Sequence, residues 1–168
     1  RMKSERPKVL HKVCGKPMVT HVIDAVEEAG AQIMAVVVGY KGEEVKKELG
    51  NRVTTVMQKE QLGTAHALMQ AGPALEGFKG HVLVVCGDTP LIKHSTLETL
   101  VTESVRTGST AAVLTSVMEE PTGYGRVIRD SSGHVSRIVE QKDAAPEELE
   151  VKEVNTGIYC FAIDGLFD

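Results

Sequence analysis

The chain has 168 residues, of which 42% are hydrophobic and 25% are charged, and its formal net charge is −4. This length and composition are typical of one globular domain with its own core. The sequence contains no apolar stretch long enough to span a bilayer and no signal-peptide pattern, which argues against a membrane protein and predicts a cytoplasmic one.

The first predicted element is a helix over residues 17–30. Met18, Val22 and Val26 recur at helical spacing and form one apolar stripe. Pro17 suits the first turn of this helix and Gly30 suits its exit.

Strands and helices then alternate along the chain. The strand-like segments are rich in Val, Ile and Thr, and most are continuous apolar runs, which is typical of strands buried on both faces of a parallel sheet. The strands are predicted at 33–39, 53–57, 81–87 and 109–117, and the helices at 42–50, 63–75 and 95–108. This order predicts an α/β fold with a doubly wound, mostly parallel sheet.

The pattern changes after residue 120. Two short alternating runs flank the turn "DSSG" (130–133) and predict a β-hairpin. Residues 154–163, "VNTGIYCFAI", predict a final strand, and "DAAPEELEVKE" (143–153) before it is interpreted as a polar loop.

The three cysteines, Cys14, Cys86 and Cys160, lie far apart and form no CxxC pair. This spacing favours small buried hydrophobic residues in a reducing compartment over a zinc site or a disulfide framework.

The start of the chain is unusually basic. Residues 1–18 hold six Lys or Arg against one acidic residue, Glu5, while the rest of the chain holds thirteen against twenty-two. A basic segment on an acidic body indicates a local anion site. Because the chain has three Tyr, three Phe and no Trp, a base-stacking surface is poorly supplied and no nucleic-acid partner is expected.

Ligands of open α/β sheets bind beyond the carboxyl ends of the strands. "GDTPL" follows the third predicted strand and places Asp88 at that edge. A carboxylate there suits Mg²⁺, which prefers one or two carboxylates plus substrate phosphates. The alternative is that Asp88 caps the following turn, a common role for Asp near Pro.

The segment "QKEQLGTAHAL" (58–68) follows the second predicted strand. Gly63 and Thr64 begin a helix whose backbone a ligand could approach, and the Gln58 amide has the donor and the acceptor needed to read a nucleobase edge. A plain strand–turn–helix connection explains the same residues. His66 is expected to be structural, because no second metal-type residue lies near it in sequence.

Three later positions suit a sugar. Gly125 lies in "PTGYGR", Glu140 ends the hairpin, and Asn155 lies on the last strand. A carboxylate and an amide beside small residues suit hydrogen bonds to sugar hydroxyls and to an N-acetyl group. Each of these residues alone is also explained as polar surface.

Taken together, these loops resemble one family. "RMKSERPKVLHKVCGKPM", "QLGTAHA", "GDTPL", "PTGYGR", "IVEQKDA" and "EVNTGIY" occur in this order, as in the N-terminal pyrophosphorylase (uridylyltransferase) domain of the bacterial bifunctional UDP-N-acetylglucosamine pyrophosphorylase/glucosamine-1-phosphate N-acetyltransferases. The resemblance implies a Rossmann-like nucleotidyltransferase fold in one domain, residues 1–168. It also implies transfer of UMP from UTP to N-acetylglucosamine-1-phosphate, giving UDP-N-acetylglucosamine and pyrophosphate.

The resemblance further implies roles for individual residues. Arg1 and Lys8 match phosphate-contacting positions that would stabilise the leaving pyrophosphate, and Asp88 matches the carboxylate that holds the Mg²⁺ cofactor. The positions that match nucleotide-binding residues are Lys8, Gln58, Gly63 and Thr64, and those that match sugar-binding residues are Gly125, Glu140 and Asn155. Lys3 and Arg6 match no phosphate ligand and are expected to be solvated surface.

The sequence departs from the family pattern at both ends. The family's first strand and glycine-rich turn would precede Arg1, and its second metal ligand and its acetyltransferase repeats would follow Asp168. We therefore expect an internal fragment that is inactive alone, from a full-length protein that forms a homotrimer through its C-terminal domain. The alternatives are another sugar-1-phosphate nucleotidyltransferase and a non-catalytic UDP-sugar-binding module.

Overall fold

The computed structural model describes residues 4–167, so Arg1 and Lys3 lie outside the described residues. Five α-helices occur in this part of the chain: α1 (Met18–Glu28), α2 (Gly42–Leu49), α3 (Thr64–Gln70), α4 (His94–Thr107) and α5 (Pro146–Leu149). The strands are β1 (Lys12–Val13), β2 (Lys16–Pro17), β3 (Ala35–Val38), β4 (Thr54–Met57), β5 (His81–Val84), β6 (Ala111–Val117), β7 (Arg126–Arg129), β8 (Val135–Val139) and β9 (Glu153–Ala162).

These strands form three sheets. β1 and β2 make a short antiparallel ribbon, and β3 pairs with β4 in parallel. The third sheet has five strands and is centred on β9, which pairs antiparallel with β6 on one side and with β5 and β7 on the other, while β7 and β8 form the predicted hairpin.

The alternation of helices and strands is confirmed, but the pairing is more mixed than the expected mostly parallel sheet. β5 and β6 run parallel to each other, as predicted, yet they do not pair, because β9 lies between them and runs antiparallel to both. Only β3 and β4 form a parallel ladder in residues 4–167. An apolar run looks the same whether its neighbour is parallel or antiparallel, so the pattern could not reveal the insertion of β9.

Most predicted elements appear within a few residues of their expected bounds, and two differ. The helix predicted over 63–75 ends at Gln70 and continues as a 3₁₀ turn, Gly72–Leu75, because Pro73 has no N–H to donate and its ring clashes with the preceding turn. The loop predicted over 143–153 contains α5, which starts with Pro146 at its first position and is capped by Glu148, whose Oε2 accepts a hydrogen bond from the Ala145 N–H at 2.8 Å.

Helix α1 joins the two larger sheets through the core. Val19 and Ile23 on α1 pack in one buried cluster with β3 and α2, while Ala25 packs in a second cluster with α4 and β9. Leu97 and Cys160 in this second cluster have no exposed surface. One amphipathic helix therefore contributes to both halves of the described core.

The cysteines differ from one another. Cys160 is buried and Cys86 is half-buried, but Cys14 is exposed, which corrects the expectation that all three are buried. Cys14 lies in the tight turn between β1 and β2 with a φ of 50°, and such a turn lies at the surface. No helix in residues 4–167 is long and apolar enough to cross a membrane.

Candidate active site

Lys8 and Asp88 lie in contact although they are far apart in sequence. Lys8 begins a 3₁₀ turn, Lys8–Leu10, that is anchored by the buried side chain of Leu10. Asp88 follows β5 at its carboxyl end, and its Oδ2 lies 2.5 Å from the Lys8 Nζ. The predicted phosphate-binding lysine and the predicted metal-binding carboxylate therefore share one place.

The turn around Asp88 is stabilised by another residue. The Thr89 hydroxyl donates to the Cys86 carbonyl at 2.7 Å, whereas the Asp88 carboxylate contacts Lys8. The two loops lie side by side at Gly87, where an added Cβ would lie 3.4 Å from Val9 Cγ1, an ordinary van der Waals contact. In residues 4–167 the Asp88 carboxylate therefore makes no described hydrogen bond that caps this turn.

The electrostatics of this pair are clear in direction. The hydrogen bond and the charge of Asp88 raise the pKa of Lys8, so the ammonium is protonated at neutral pH. The Cys86 thiol and the Tyr124 hydroxyl make smaller contributions to this raised pKa of Lys8. Burial raises the pKa of the Cys86 thiol, and the Asp88 charge adds to this effect.

Asp88 is suited to a cation that is bound by one protein carboxylate and also by groups of the substrate. Its side chain is 32% exposed, and residues 4–167 contain no group of three His, Cys, Asp or Glu side chains that could hold a metal. A single accessible carboxylate does not make a closed zinc site, which needs four protein ligands. It fits Mg²⁺, which is commonly bound by one or two carboxylates together with substrate phosphates.

The three predicted sugar residues come together at the end of the hairpin. The Gly125 carbonyl accepts a hydrogen bond from the Asn155 N–H at 2.9 Å. A Cβ at Gly125 would lie 3.3 Å from Glu140 Oε1, so a glycine is what lets this carboxylate approach the backbone. Residues from β9, from the loop before β7 and from the end of β8 thus form one cluster.

A bulge in β9 joins this cluster to the Asp88 turn. Leu114 pairs with Ile158 but the next residue, Thr115, pairs with Asn155, so two residues of β9 have no partner on β6. Bulges often lie beside active sites, where they redirect a side chain. One of the extra residues is Gly157, whose carbonyl accepts from the Cys86 thiol at 3.6 Å.

Two further contacts hold the loop before β7. The buried guanidinium of Arg126 donates to the Tyr124 carbonyl, and the Gly123 N–H donates to the Gln141 side chain. The loop "PTGYGR" is therefore fixed by its own arginine and by the residue after Glu140.

The predicted nucleobase residues form a separate group at the end of β4. The Gln58 Nε2 donates to the Gly63 carbonyl at 3.2 Å and lies 3.0 Å from His66 Nδ1, while Gln58 Oε1 has no hydrogen-bond partner among residues 4–167. His66 also lies 3.3 Å from the Gln70 amide, in line with the structural role expected for it. Thr64 is exposed at the start of α3, and no described hydrogen bond or ion pair joins this group to the Lys8–Asp88 pair.

Sequence reasoning missed three residues of the site: Cys86, Arg126 and Tyr159. Tyr159 accepts a hydrogen bond from the Asn155 side chain at 2.7 Å. One signal for Tyr159 was present in the sequence: it lies four positions after Asn155, and residues an even number apart on a strand point to the same face.

Two surface depressions lie elsewhere, one along α4 and one beside Phe167, and neither is lined by a predicted site residue.

The chain is similar to known proteins over its whole length. "Bifunctional protein GlmU" of Pelotomaculum thermopropionicum is 54% identical over 168 residues, which is the whole chain and 37% of that protein. The protein of the same name from Geobacillus thermodenitrificans is 53% identical over 161 residues, which is 96% of the chain and 35% of that protein. The chain thus spans little more than a third of the length of these relatives.

The fold also matches solved structures. HddC from Yersinia pseudotuberculosis superposes with a TM-score of 0.75 at 20% identity, covering 99% of this chain and 72% of that one. An apo UDP-glucose pyrophosphorylase superposes with a TM-score of 0.73 at 18% identity, and the match covers 94% of this chain and 69% of that one. These matches confirm the predicted Rossmann-like α/β fold. A sequence profile described as "Nucleotidyl transferase" matches residues 2–166, and the chain therefore belongs to the nucleotidyl transferase family.

Proposed function

We propose that this domain transfers UMP from UTP to N-acetylglucosamine-1-phosphate, releasing UDP-N-acetylglucosamine and pyrophosphate. One observation carries the proposal: a lysine–carboxylate pair suited to phosphates and Mg²⁺ is joined through Cys86 and Gly157 to the cluster of Gly125, Glu140 and Asn155. A nucleotidyl transferase that acts on a sugar phosphate needs these two kinds of subsite side by side.

The reaction needs no general base in this proposal. An oxygen of the sugar phosphate, which is already ionised, attacks the α-phosphorus of UTP and forms the new P–O bond. The bond from the α-phosphorus to the bridging oxygen of the β-phosphate breaks, and pyrophosphate leaves with that electron pair. Catalysis therefore consists of in-line positioning and charge neutralisation.

Each residue has a role in that scheme. The Lys8 ammonium, together with Arg1, would neutralise charge on the phosphates as pyrophosphate leaves. Asp88 would hold Mg²⁺, which supplies Lewis-acid stabilisation of the phosphate oxygens when bound. Since Lys8 now contacts Asp88 Oδ2, we expect this contact to loosen when phosphates and the cation enter.

The remaining residues would select the two substrates. Gln58 Oε1 can accept a hydrogen bond from the N3–H of uracil, and Gly63 and Thr64 would lie along the base. Glu140 can accept from sugar hydroxyls, and Asn155 can both accept and donate. We further propose that the protein acts in the cytoplasm and that the full-length form is a homotrimer.

The test follows pyrophosphate release from UTP, N-acetylglucosamine-1-phosphate and Mg²⁺ by the chain together with its natural flanking sequence. We expect Asp88→Asn to lower kcat/KM by about 100-fold or more, because it removes charge-based stabilisation of the transition state. Asp164→Asn is the matched control, since Asp164 is an exposed aspartate outside both subsites, and it should leave the rate unchanged.

Two results would contradict the proposal in different ways. Unchanged release by Asp88→Asn would refute the metal-binding role of that carboxylate. Binding of UDP-N-acetylglucosamine without any pyrophosphate release would instead favour a non-catalytic UDP-sugar-binding module.

A further inference from the structure

Both polar atoms of the Asn155 side chain are already hydrogen-bonded within the chain. The Gly157 N–H donates to Oδ1 at 3.0 Å, and Nδ2 donates to the Tyr159 hydroxyl oxygen at 2.7 Å. A backbone N–H can only donate, so the amide atom that faces it must be the oxygen. The Tyr159 oxygen therefore acts as the acceptor, and a half-turn of the amide would lose the Gly157 bond, because it would place the NH₂ group against that backbone N–H.

This arrangement leaves part of the amide free. A primary amide has two N–H groups and two oxygen lone pairs, and one of each is used here. One donor and one acceptor remain, held in a fixed relation to each other. Such a pair complements a ligand group that both accepts and donates, as a sugar hydroxyl or an acetamido group does.

Tyr159 is held rigidly by the sheet. It lies on the central strand β9, where it pairs with Val84 on one side and Val113 on the other. Its ring stacks on Phe161, with ring centroids 5.6 Å apart and an interplanar angle of 23°. The position of its hydroxyl is therefore set by the central strand and by the Phe161 ring, which is the kind of support that keeps a binding group in place.

We propose that Tyr159 is a positioning residue that orients the Asn155 amide and thereby raises the affinity for the sugar moiety of a nucleoside diphosphate sugar. Tyr159 acts through Asn155 and need not touch the ligand. The proposal rests on the proposed function, because it concerns the ligand that Asn155 would hold.

The test compares two ligands on the chain with its natural flanking sequence. Calorimetry of the Tyr159→Phe variant should show about fivefold weaker binding of UDP-N-acetylglucosamine with unchanged binding of UDP, since one hydrogen bond is lost and the ring is kept. Tyr40→Phe is the matched control: Tyr40 is exposed and makes no described hydrogen bond to the site, so its variant should bind both ligands like the wild type.

A double-mutant cycle separates positioning from a merely structural effect. In an Asn155→Ala background, adding Tyr159→Phe should cause no further loss of affinity, because its effect passes through the missing amide. An additive loss, an unchanged affinity for UDP-N-acetylglucosamine in Tyr159→Phe, or an equal loss for both ligands would overturn the proposal. A wild-type protein that binds UDP but not UDP-N-acetylglucosamine would overturn the proposed function, and this inference with it.

Discussion

Gly157 lies where the Asp88 turn meets the sugar cluster. Its φ is +77°, a conformation that L side chains rarely adopt, and a Cβ there would lie 3.2 Å from the Cys86 Sγ. The residue therefore has two separate reasons to be glycine, one from its own backbone and one from its neighbour. The contact with Cys86 is what joins the two subsites at the level of single residues.

We expect Gly157→Ala to lower the free energy of unfolding by more than the backbone strain alone, which is about 1–2 kcal/mol in the left-handed region. Gly133→Ala is the matched control, because Gly133 has a φ of +83° and a Cβ added there would meet no neighbouring atom within 4 Å. Urea unfolding of both variants gives the comparison. Equal losses of unfolding free energy in the two variants would mean that the close contact with Cys86 does not affect stability.

At the scale of the elements, the hairpin β7–β8 is tied to β9 by an ion pair. Arg129 donates to Glu153 through two bonds, from Nε at 2.8 Å and from Nη2 at 2.6 Å. This bidentate geometry is the favourable one for an arginine and a carboxylate. The pair lies near the start of β9, on the same strand as Asn155, and so supports the strand that carries the sugar cluster.

This pair predicts a pH dependence. The hydrogen bond from Arg129 lowers the pKa of Glu153 below its ordinary value of 4.5. A carboxyl group with a lowered pKa stabilises the fold above its ordinary pKa, and this contribution is lost as the pH falls through the lowered value. Glu153→Gln should therefore cost less than about 1 kcal/mol at neutral pH, and the difference from the wild type should vanish in acid.

Urea unfolding at neutral and acidic pH measures this difference. Glu103→Gln is the control, because it removes an ion pair with Arg106 that lies within one helix and connects no separate elements. We expect it to lower the free energy of unfolding by less than Glu153→Gln does. A loss from Glu153→Gln that is the same at both pH values would show that it comes from packing and not from charge.

The types of the elements were predictable because periodicity is local. The stripe on α1 and the apolar runs of β3 and β5 each lie within one short segment, and each appears as predicted. Their ends were less predictable, since Pro73 shortens α3 and Pro146 starts α5 in what the composition favoured as a loop. Both signals were present in the sequence as prolines.

At the scale of the whole molecule, we expect α1 to make two parts of the domain unfold together: the part around β3 and α2, and the part around α4 and β9. Leu97 has no exposed surface, and it packs in the cluster that includes Ala25 of α1, while Ile23 of α1 packs in the cluster that includes β3. A defect at Leu97 is therefore expected to reach β3 through the shared helix.

Leu97→Ala should lower the global stability by about 2–5 kcal/mol and should lower the hydrogen-exchange protection of β3 as well as that of β9. Leu91→Ala is the control, because Leu91 is 83% exposed and its variant should change neither. Retained protection in β3 beside lost protection in β9 would show that the two halves unfold independently.

The sequence by itself determined most of the helices and strands, the connecting segments that carry Lys8, Asp88, Gly125 and Glu140, and the strand that carries Asn155, because periodicity and residue chemistry are properties of short segments. The tertiary structure alone decided that β9 lies between β5 and β6 and that Lys8 meets Asp88 across 80 positions of sequence. It also decided that Tyr159 holds the Asn155 amide. Strand order and contacts between distant residues depend on how whole elements pack, and no local pattern records that choice.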